Sequence, residues 1–220
     1  MQTFPTPAPI SAVVDIPAGR VEIIAADRAD TAVEVRPANA AKGRDVKAAE
    51  QTAVHYGDGV LRITTPPGSG PFGPSGAVAV TVKLPAGSRG EATTSGAELR
   101  TVGRLGEVAF AGAYRNIKID EAAGVRLTAM DGDVEIGRLD GPADISTQRG
   151  DIQIAEATGG TIVLRTQSGD ISVAAAAGVS AALDAGTFHG RVSNALKNDG
   201  ANDLDIRATT SHGDITARSL

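Results

Sequence analysis

The sequence contains no cysteine and no tryptophan. Disulfides, thiolate metal sites and cysteine nucleophiles are therefore excluded outright. Aromatics are scarce: four Phe and two Tyr make up 3% of 220 residues. An aromatic-lined substrate pocket, usual in globular enzymes, has little to draw on. Charge of one sign is also missing. The 21 basic and 26 acidic residues leave a net charge of -5, which provides no electrostatic reason to expect nucleic acid or an anionic membrane as partner. No apolar run reaches the roughly 18 residues that span a bilayer. The opening Met1-Gln2-Thr3-Phe4-Pro5 has neither the basic nor the apolar region of a secretory signal. Read as given, that start points to a cytoplasmic chain, with export of a longer precursor not excluded. Small residues are abundant, with 27 Gly and 38 Ala, but no Gly-X-Y period, so the chain is not collagen-like. Its core must be built from Val, Ile, Leu and Ala.

The chain repeats itself. Gly132-Asp133-Val134-Glu135-Ile136 recurs as Gly150-Asp151-Ile152-Gln153-Ile154, as Gly169-Asp170-Ile171-Ser172-Val173 and as Gly213-Asp214-Ile215-Thr216-Ala217. Weaker copies are Gly190-Arg191-Val192-Ser193-Asn194, Arg115-Asn116-Ile117-Lys118-Ile119 and Ala97-Glu98-Leu99-Arg100-Thr101. Successive starts are 18, 17, 18, 19, 21 and 23 residues apart. Before each motif lies a second alternating segment, such as Val125, Leu127 and Ala129, or Ile162, Leu164 and Thr166, and period-2 alternation is the mark of a strand. Three residues before each motif start stand Thr94, Gly112, Ala129, Thr147, Thr166, Thr187 and Thr210, a column of small residues that predicts one inward corner recurring in layers. A unit of about 18 residues is too short to contain a helix and fits one coil of a β-solenoid. Two short strands cannot bury their apolar faces alone, whereas stacked copies can.

The first ninety residues differ. Segments 12–16, 20–24, 32–36, 60–64 and 77–84 read as strands, with turns at Pro17-Ala18-Gly19, Gly57-Asp58-Gly59 and Pro85-Ala86-Gly87. Residues 43–53 suit a short helix, and Pro66–Gly76 reads as a flexible loop. The expected organisation is all-β. An N-terminal antiparallel β cap over 1–90 precedes a short β-solenoid of about seven coils over 91–220, forming one continuous structural unit.

Several of these segments also resemble a known bacterial family, the "putative adhesin" group of β-strand repeat-containing proteins, a domain of unknown function. The resemblance rests on Pro17-Ala18-Gly19-Arg20-Val21-Glu22-Ile23, Val33-Glu34-Val35-Arg36-Pro37 and Leu84-Pro85-Ala86-Gly87-Ser88. It continues through the Gly-Asp repeats and Leu183-Asp184 to Thr210-Ser211-His212-Gly213-Asp214-Ile215. It implies a β-solenoid-like fold and no particular reaction.

Candidate chemistry is sparse. Asp133, Asp151, Asp170 and Asp214 share one column, and stacked carboxylates suggest the calcium-binding β-rolls. Those rolls repeat about every nine residues, so each Asp is expected instead to bond its own turn's backbone N–H groups. His189 and His212 sit just before aligned motif starts and are expected side by side; with Asp214 they are the candidate metal or pH-sensing group, set against a plain surface role. Ser211-His212-Gly213-Asp214 holds triad residue types, but neighbouring strand residues point to opposite faces. The repeat region offers a sugar-processing groove only Phe110, Tyr114 and Phe188 as aromatics. No catalytic, cofactor or metal residue is assigned. The outer column Tyr114, Asp131, Arg149, Ser168, His189 and His212 is expected to form a ladder, with Asp131 paired to Arg149.

The expected function is a non-catalytic scaffold or protein-interaction module, connected with the cell envelope. The alternatives are a surface adhesin or carbohydrate-binding protein and, less favoured, a polysaccharide-acting enzyme. The residues after the final coil, Leu204 to Ala217, are expected to be too few to cover it. Its end is therefore the expected interface, with a second copy or a partner protein. Arg207 and Arg218 are set against indefinite stacking, and the segment Asn194–Gly200 is the one stretch able to fold over that end.

Overall fold

A computed structural model of the chain describes residues 1–66, 76–201 and 203–220. In chain order the elements are β1 (Gln2–Pro5), β2 (Ser11–Ala26), β3 (Asp30–Pro37), α1 (Gly43–Gln51), β4 (Ala53–Gly57), β5 (Val60–Thr64), β6 (Val78–Pro85), β7 (Arg89–Val102), β8 (Arg104–Tyr114) and β9 (Ile117–Asp131). There follow β10 (Val134–Leu139), β11 (Ala143–Arg149), β12 (Ile152–Ala157), β13 (Gly160–Ser168), β14 (Ile171–Ala175), β15 (Ala181–His189), β16 (Val192–Ala195), β17 (Leu204–His212) and β18 (Ile215–Ser219). Among the described residues the chain is all-β with one short helix. It forms two compact units, Met1–Arg115 and Asn116–Leu220.

In the first unit β2 is one long bent strand. Its legs run parallel to β7, with Ser11–Ile16 opposite Arg89–Thr94 and Ala18–Ile24 opposite Gly96–Val102. The bend is Pro17-Ala18-Gly19. Gly19 has φ +127°, and a Cβ there would stand 1.9 Å from the Val78 carbonyl oxygen, so only glycine fits. The other side of β2 is covered by β5 and β6, again in parallel. Among the described residues antiparallel pairing is confined to β4 on β5, β3 on β6 and β1 on β3. The expectation of an antiparallel cap is thus corrected to a mixed one. Residues 11–26 already form a coil of the repeating kind, with Gly19 at its corner in place of a Gly-Asp pair. The helix forms where expected, packed on β3 and β6, and the buried Asp45 accepts the Ala77 N–H at 3.1 Å. The loop expected over Pro66–Gly76 lies largely outside the described residues.

The second unit is built from coils of two strands each. Val134, Ile136, Ile145, Ile152, Ile154, Ile162, Leu164, Ile171 and Val173 all point inward and are buried, while Glu135, Gln153 and Ser172 point outward. Parallel in-register pairing stacks like on like: Ile117, Val134, Ile152 and Ile171 form one column, and Leu127, Ile145 and Leu164 another. Each column buries branched side chains against similar neighbours, which explains how a core without aromatics closes.

The stacking order departs from the chain order. β13 pairs with β17, and β17 in turn with β15. On the other face β14 pairs with β18, and β18 with β16. The last coil in sequence, 204–219, is therefore inserted between coil 162–175 and coil 181–195. Leu204 and Ile206 are 0% exposed and Ile215 is 1% exposed. This corrects the expected uncovered C-terminal coil: the coil at the open end is 181–195. Its inward positions are poorer in large apolar groups. Leu183 is half-buried, Val192 is 46% exposed, and an Asn occupies position 194. A coil whose inward face is short of apolar area loses least by lying last. The loop after β16 covers one side of this end. Ala181 N–H donates to the Lys197 carbonyl at 3.0 Å, and Asn198 Nδ2 donates to the Ala181 carbonyl at 3.2 Å.

Candidate functional site

The repeated corner of the second unit carries the Gly-Asp motifs, most of the Thr column and the two His singled out by the sequence pattern. Gly150, Gly169, Gly190 and Gly213 turn the chain where a side chain cannot fit. At Gly213, with φ +147°, a Cβ would lie 2.1 Å from the Gly169 carbonyl oxygen. Beside the glycines the Asp column forms a ladder. Asp133 Oδ1 accepts the Asp151 N–H at 2.9 Å, Asp151 Oδ1 the Asp170 N–H at 2.8 Å, Asp170 Oδ1 the Asp214 N–H at 2.7 Å, and Asp214 Oδ1 the Arg191 N–H at 2.9 Å. Each carboxylate therefore bonds the next coil rather than its own turn, which corrects the local expectation. A bond of this kind ties neighbouring coils where the two strands of a coil meet. It also retraces the stacking order independently of strand pairing.

The Thr column works in the opposite direction. Thr166 Oγ1 donates to the Gly150 carbonyl at 3.2 Å, Thr210 to Gly169 at 3.0 Å and Thr187 to Gly213 at 2.9 Å. Thr147 instead bonds the Arg149 carbonyl in its own coil at 3.0 Å. These hydroxyls sit at the edge of the apolar core, so an unpaired one would be costly. The sequence pattern locates this corner but does not reveal that hydroxyl and carboxylate reach to opposite neighbours.

From Asp131 onward the outer column is assembled as expected, with its last two members exchanged. Asp131 lies in register with Arg149, Arg149 with Ser168, Ser168 with His212 and His212 with His189. Arg149 Nη2 stands 3.3 Å from Asp131 Oδ2, an exposed pair worth about 0–1 kcal/mol. Tyr114 lies in the first unit and is 54% exposed. The rings of His189 and His212 are stacked with centroids 4.9 Å apart, and Phe188 meets His189 edge-on at 4.7 Å. Asp214 does not join the two His as a third ligand: its carboxylate holds the Arg191 N–H and, at 3.3 Å, the Arg191 guanidinium. Those bonds, the backbone one first, keep the Asp214 carboxyl below its ordinary pKa. The four residues from Ser211 to Asp214 are spread over a strand and a corner and do not converge. Among the described residues no three His, Cys, Asp or Glu side chains gather as a metal site. Phe110 is buried, and Phe188 is 82% exposed.

A family model matches residues 12–219, almost the whole chain. The chain belongs to the Toastrack DUF4097 family. Its Toastrack fold is the β-solenoid-like repeat seen here, in agreement with the resemblance drawn from the Gly-Asp motifs. No curated protein matches the chain. Similar solved structures include a "putative cell adhesion protein" from Clostridium sporogenes ATCC 15579 at 10% identity, with TM-score 0.41, covering 100% of this chain and 98% of that one. A "putative adhesin" from Parabacteroides distasonis ATCC 8503 is 14% identical with TM-score 0.47, covering 98% of this chain and 95% of that one. Another from Bacteroides fragilis NCTC 9343 is 12% identical with TM-score 0.40, covering 98% and 95%. Among the described residues of this Toastrack chain, no helix is long and apolar enough to cross a membrane.

Proposed function

We propose that the chain is a non-catalytic β-solenoid interaction module, and that the open end of coil 181–195 is where it meets a partner protein. The observation that supports this reading is the inserted last coil. Among the described residues it leaves β15 and β16 each in register with one strand only, with Phe188 82% and Val192 46% exposed beside them. Unpaired strand edges with apolar side chains are normally blocked or used for pairing. The corner carboxylates fit a structural role, since they are engaged by backbone N–H groups. The test is site-specific photo-crosslinking in native cells. A benzophenone amino acid at Val192 is expected to yield discrete protein adducts, while one at the outward-facing Thr216 of the inserted coil yields none. Equal labelling from both positions, or none from Val192, refutes the reading.

A further inference from the structure

The corners of the second unit follow one donor rule. The motif glycine N–H donates to the carbonyl just before the glycine of the next coil: Gly132 to Arg149 at 3.0 Å, then Gly150 to Ser168, Gly169 to His212 and Gly213 to His189, each at 2.9 Å. Two residues on, a second N–H donates to the carbonyl at the Asp position of the next coil. Val134 bonds Asp151 at 2.8 Å, and Ile152, Ile171 and Ile215 bond Asp170, Asp214 and Arg191 at 2.9 Å. In coil 181–195 the same two donors are the Gly190 and Val192 N–H groups. Among the described residues no coil follows it, so both face out of the open end.

Between them the side chain changes sign. The corners beneath carry Asp133, Asp151, Asp170 and Asp214, each offering an acceptor to the amide of the coil above, but the open corner carries Arg191. Its side chain is 89% exposed. One guanidinium nitrogen faces Asp214 Oδ2 at 3.3 Å, which leaves the other donors of the fork unused. A further coil of this repeat would bring its own amide N–H against that guanidinium, donor against donor. The Gly190 carbonyl keeps its role as acceptor, for a hydroxyl of the kind Thr187 or Thr210 supplies below. The open corner has thus exchanged an acceptor for a donor at the one point that decides what stacks on it.

We propose that this corner is a carboxylate-binding site, and that the carboxylate belongs to an acidic side chain on an extended peptide of the partner, which adds a strand along the edge of β15 beyond Ala181. The assignment rests on reading the open end as the interface. Two outward amide donors with a guanidinium beside them offer hydrogen-bond donors and positive charge to an acidic side chain. The edge supplies backbone pairing, and the corner supplies sequence preference. Asp184, exposed on the outer face of β15 in register with Arg207, disfavours acid elsewhere along the same edge.

The probe is a fluorescein-labelled Thr-Val-Thr-Asp-Val-Thr-Val peptide, with the Asn counterpart as control, followed by anisotropy and by amide chemical shifts. The Asp peptide is expected to shift the Gly190, Arg191 and Val192 amides. Replacing its Asp by Asn, or Arg191→Asp in the protein, is expected to weaken binding by roughly tenfold or more, the size of a charge-assisted hydrogen bond. The Asn peptide tests the contact on the unaltered protein, whatever the variant does to folding. Equal affinity for the two peptides, shifts confined to other residues, or a self-associated chain whose second copy already covers Gly190 and Val192 overturns the assignment. The Val192 crosslinks do not depend on a carboxylate, so a failure here leaves the interface reading standing or falling by its own experiment.

Discussion

Truncating Ile206 and Leu183 in turn separates the two stacking orders by energy. Ile206 is 0% exposed and lies in register between Ile162 on one side and Leu183 on the other. Ile206→Ala removes three carbons, at roughly 0.8 kcal/mol of burial each, or about 2.4 kcal/mol. The cavity left between two stacked coils raises the cost to about 3–4 kcal/mol, within the range for buried Ile. Leu183 has Ile206 on one side only and is half-buried. Its neighbourhood can relax into the open end, so Leu183→Ala is expected to cost about 1–2 kcal/mol. Urea unfolding followed by circular dichroism, with a common slope for both variants, measures the difference. Were the coils stacked in chain order, Leu183 would be the enclosed residue and Ile206 the terminal one. A Leu183→Ala cost equal to or above that of Ile206→Ala refutes the inserted arrangement.

Other perturbations read the corner. Gly213→Ala forces a Cβ to within 2.1 Å of the Gly169 carbonyl at φ +147° and is expected to cost more than about 1 kcal/mol, measured by the same unfolding; a neutral substitution contradicts the corner geometry. Asp170→Ala removes the acceptor for the Asp214 N–H and is expected to cost about 0.5–1.5 kcal/mol, whereas Asp184→Ala on the outer face stays within about 0.5 kcal/mol. The Asp214 carboxyl is held low by the Arg191 N–H and guanidinium. Its contribution to stability is therefore present above the unfolded aspartate pKa and fades as pH falls through the lower folded value. Carboxyl NMR should find its midpoint below the ordinary aspartate value, and a midpoint at or above that value contradicts the bonds described.

Much of this architecture is legible in the sequence because it is written in periods. Alternation of Val134, Glu135 and Ile136 assigns inside and outside, and the 18-residue spacing assigns one coil. The Thr column marks the corner, and Asp131 falls opposite Arg149 because both precede a motif start. The bend of β2 is less visible, since Pro17-Ala18-Gly19 reads as a turn between two strands. Aligning Gly19-Arg20-Val21-Glu22-Ile23 with Ala97-Glu98-Leu99-Arg100-Thr101 marks it as a coil corner. The order of coils is the least visible, and the reason is physical: coils with one motif present nearly equivalent faces, so local pattern does not decide which stacks on which. The deciding features are departures from the motif. Arg191 in the Asp column, Asn194 at an inward position, and spacings lengthened to 21 and 23 residues set coil 181–195 apart as the one least suited to being enclosed. Reading the last coil in sequence as the last in space overlooks that its Leu204, Ile206 and Ile215 are as apolar as any interior coil.

The absence of cysteine makes the stacking order directly measurable by engineered disulfides. In the structure Ser168 is in register with His212, and His212 with His189, so Ser168 and His189 lie two strand spacings apart, roughly 9–10 Å and beyond disulfide reach. Ser168→Cys with His212→Cys is expected to oxidise readily to an intramolecular disulfide in the folded protein. Ser168→Cys with His189→Cys is expected to remain reduced under the same conditions. Bridging of Ser168→Cys to His189→Cys, with Ser168→Cys and His212→Cys left unbridged, would contradict the inserted coil.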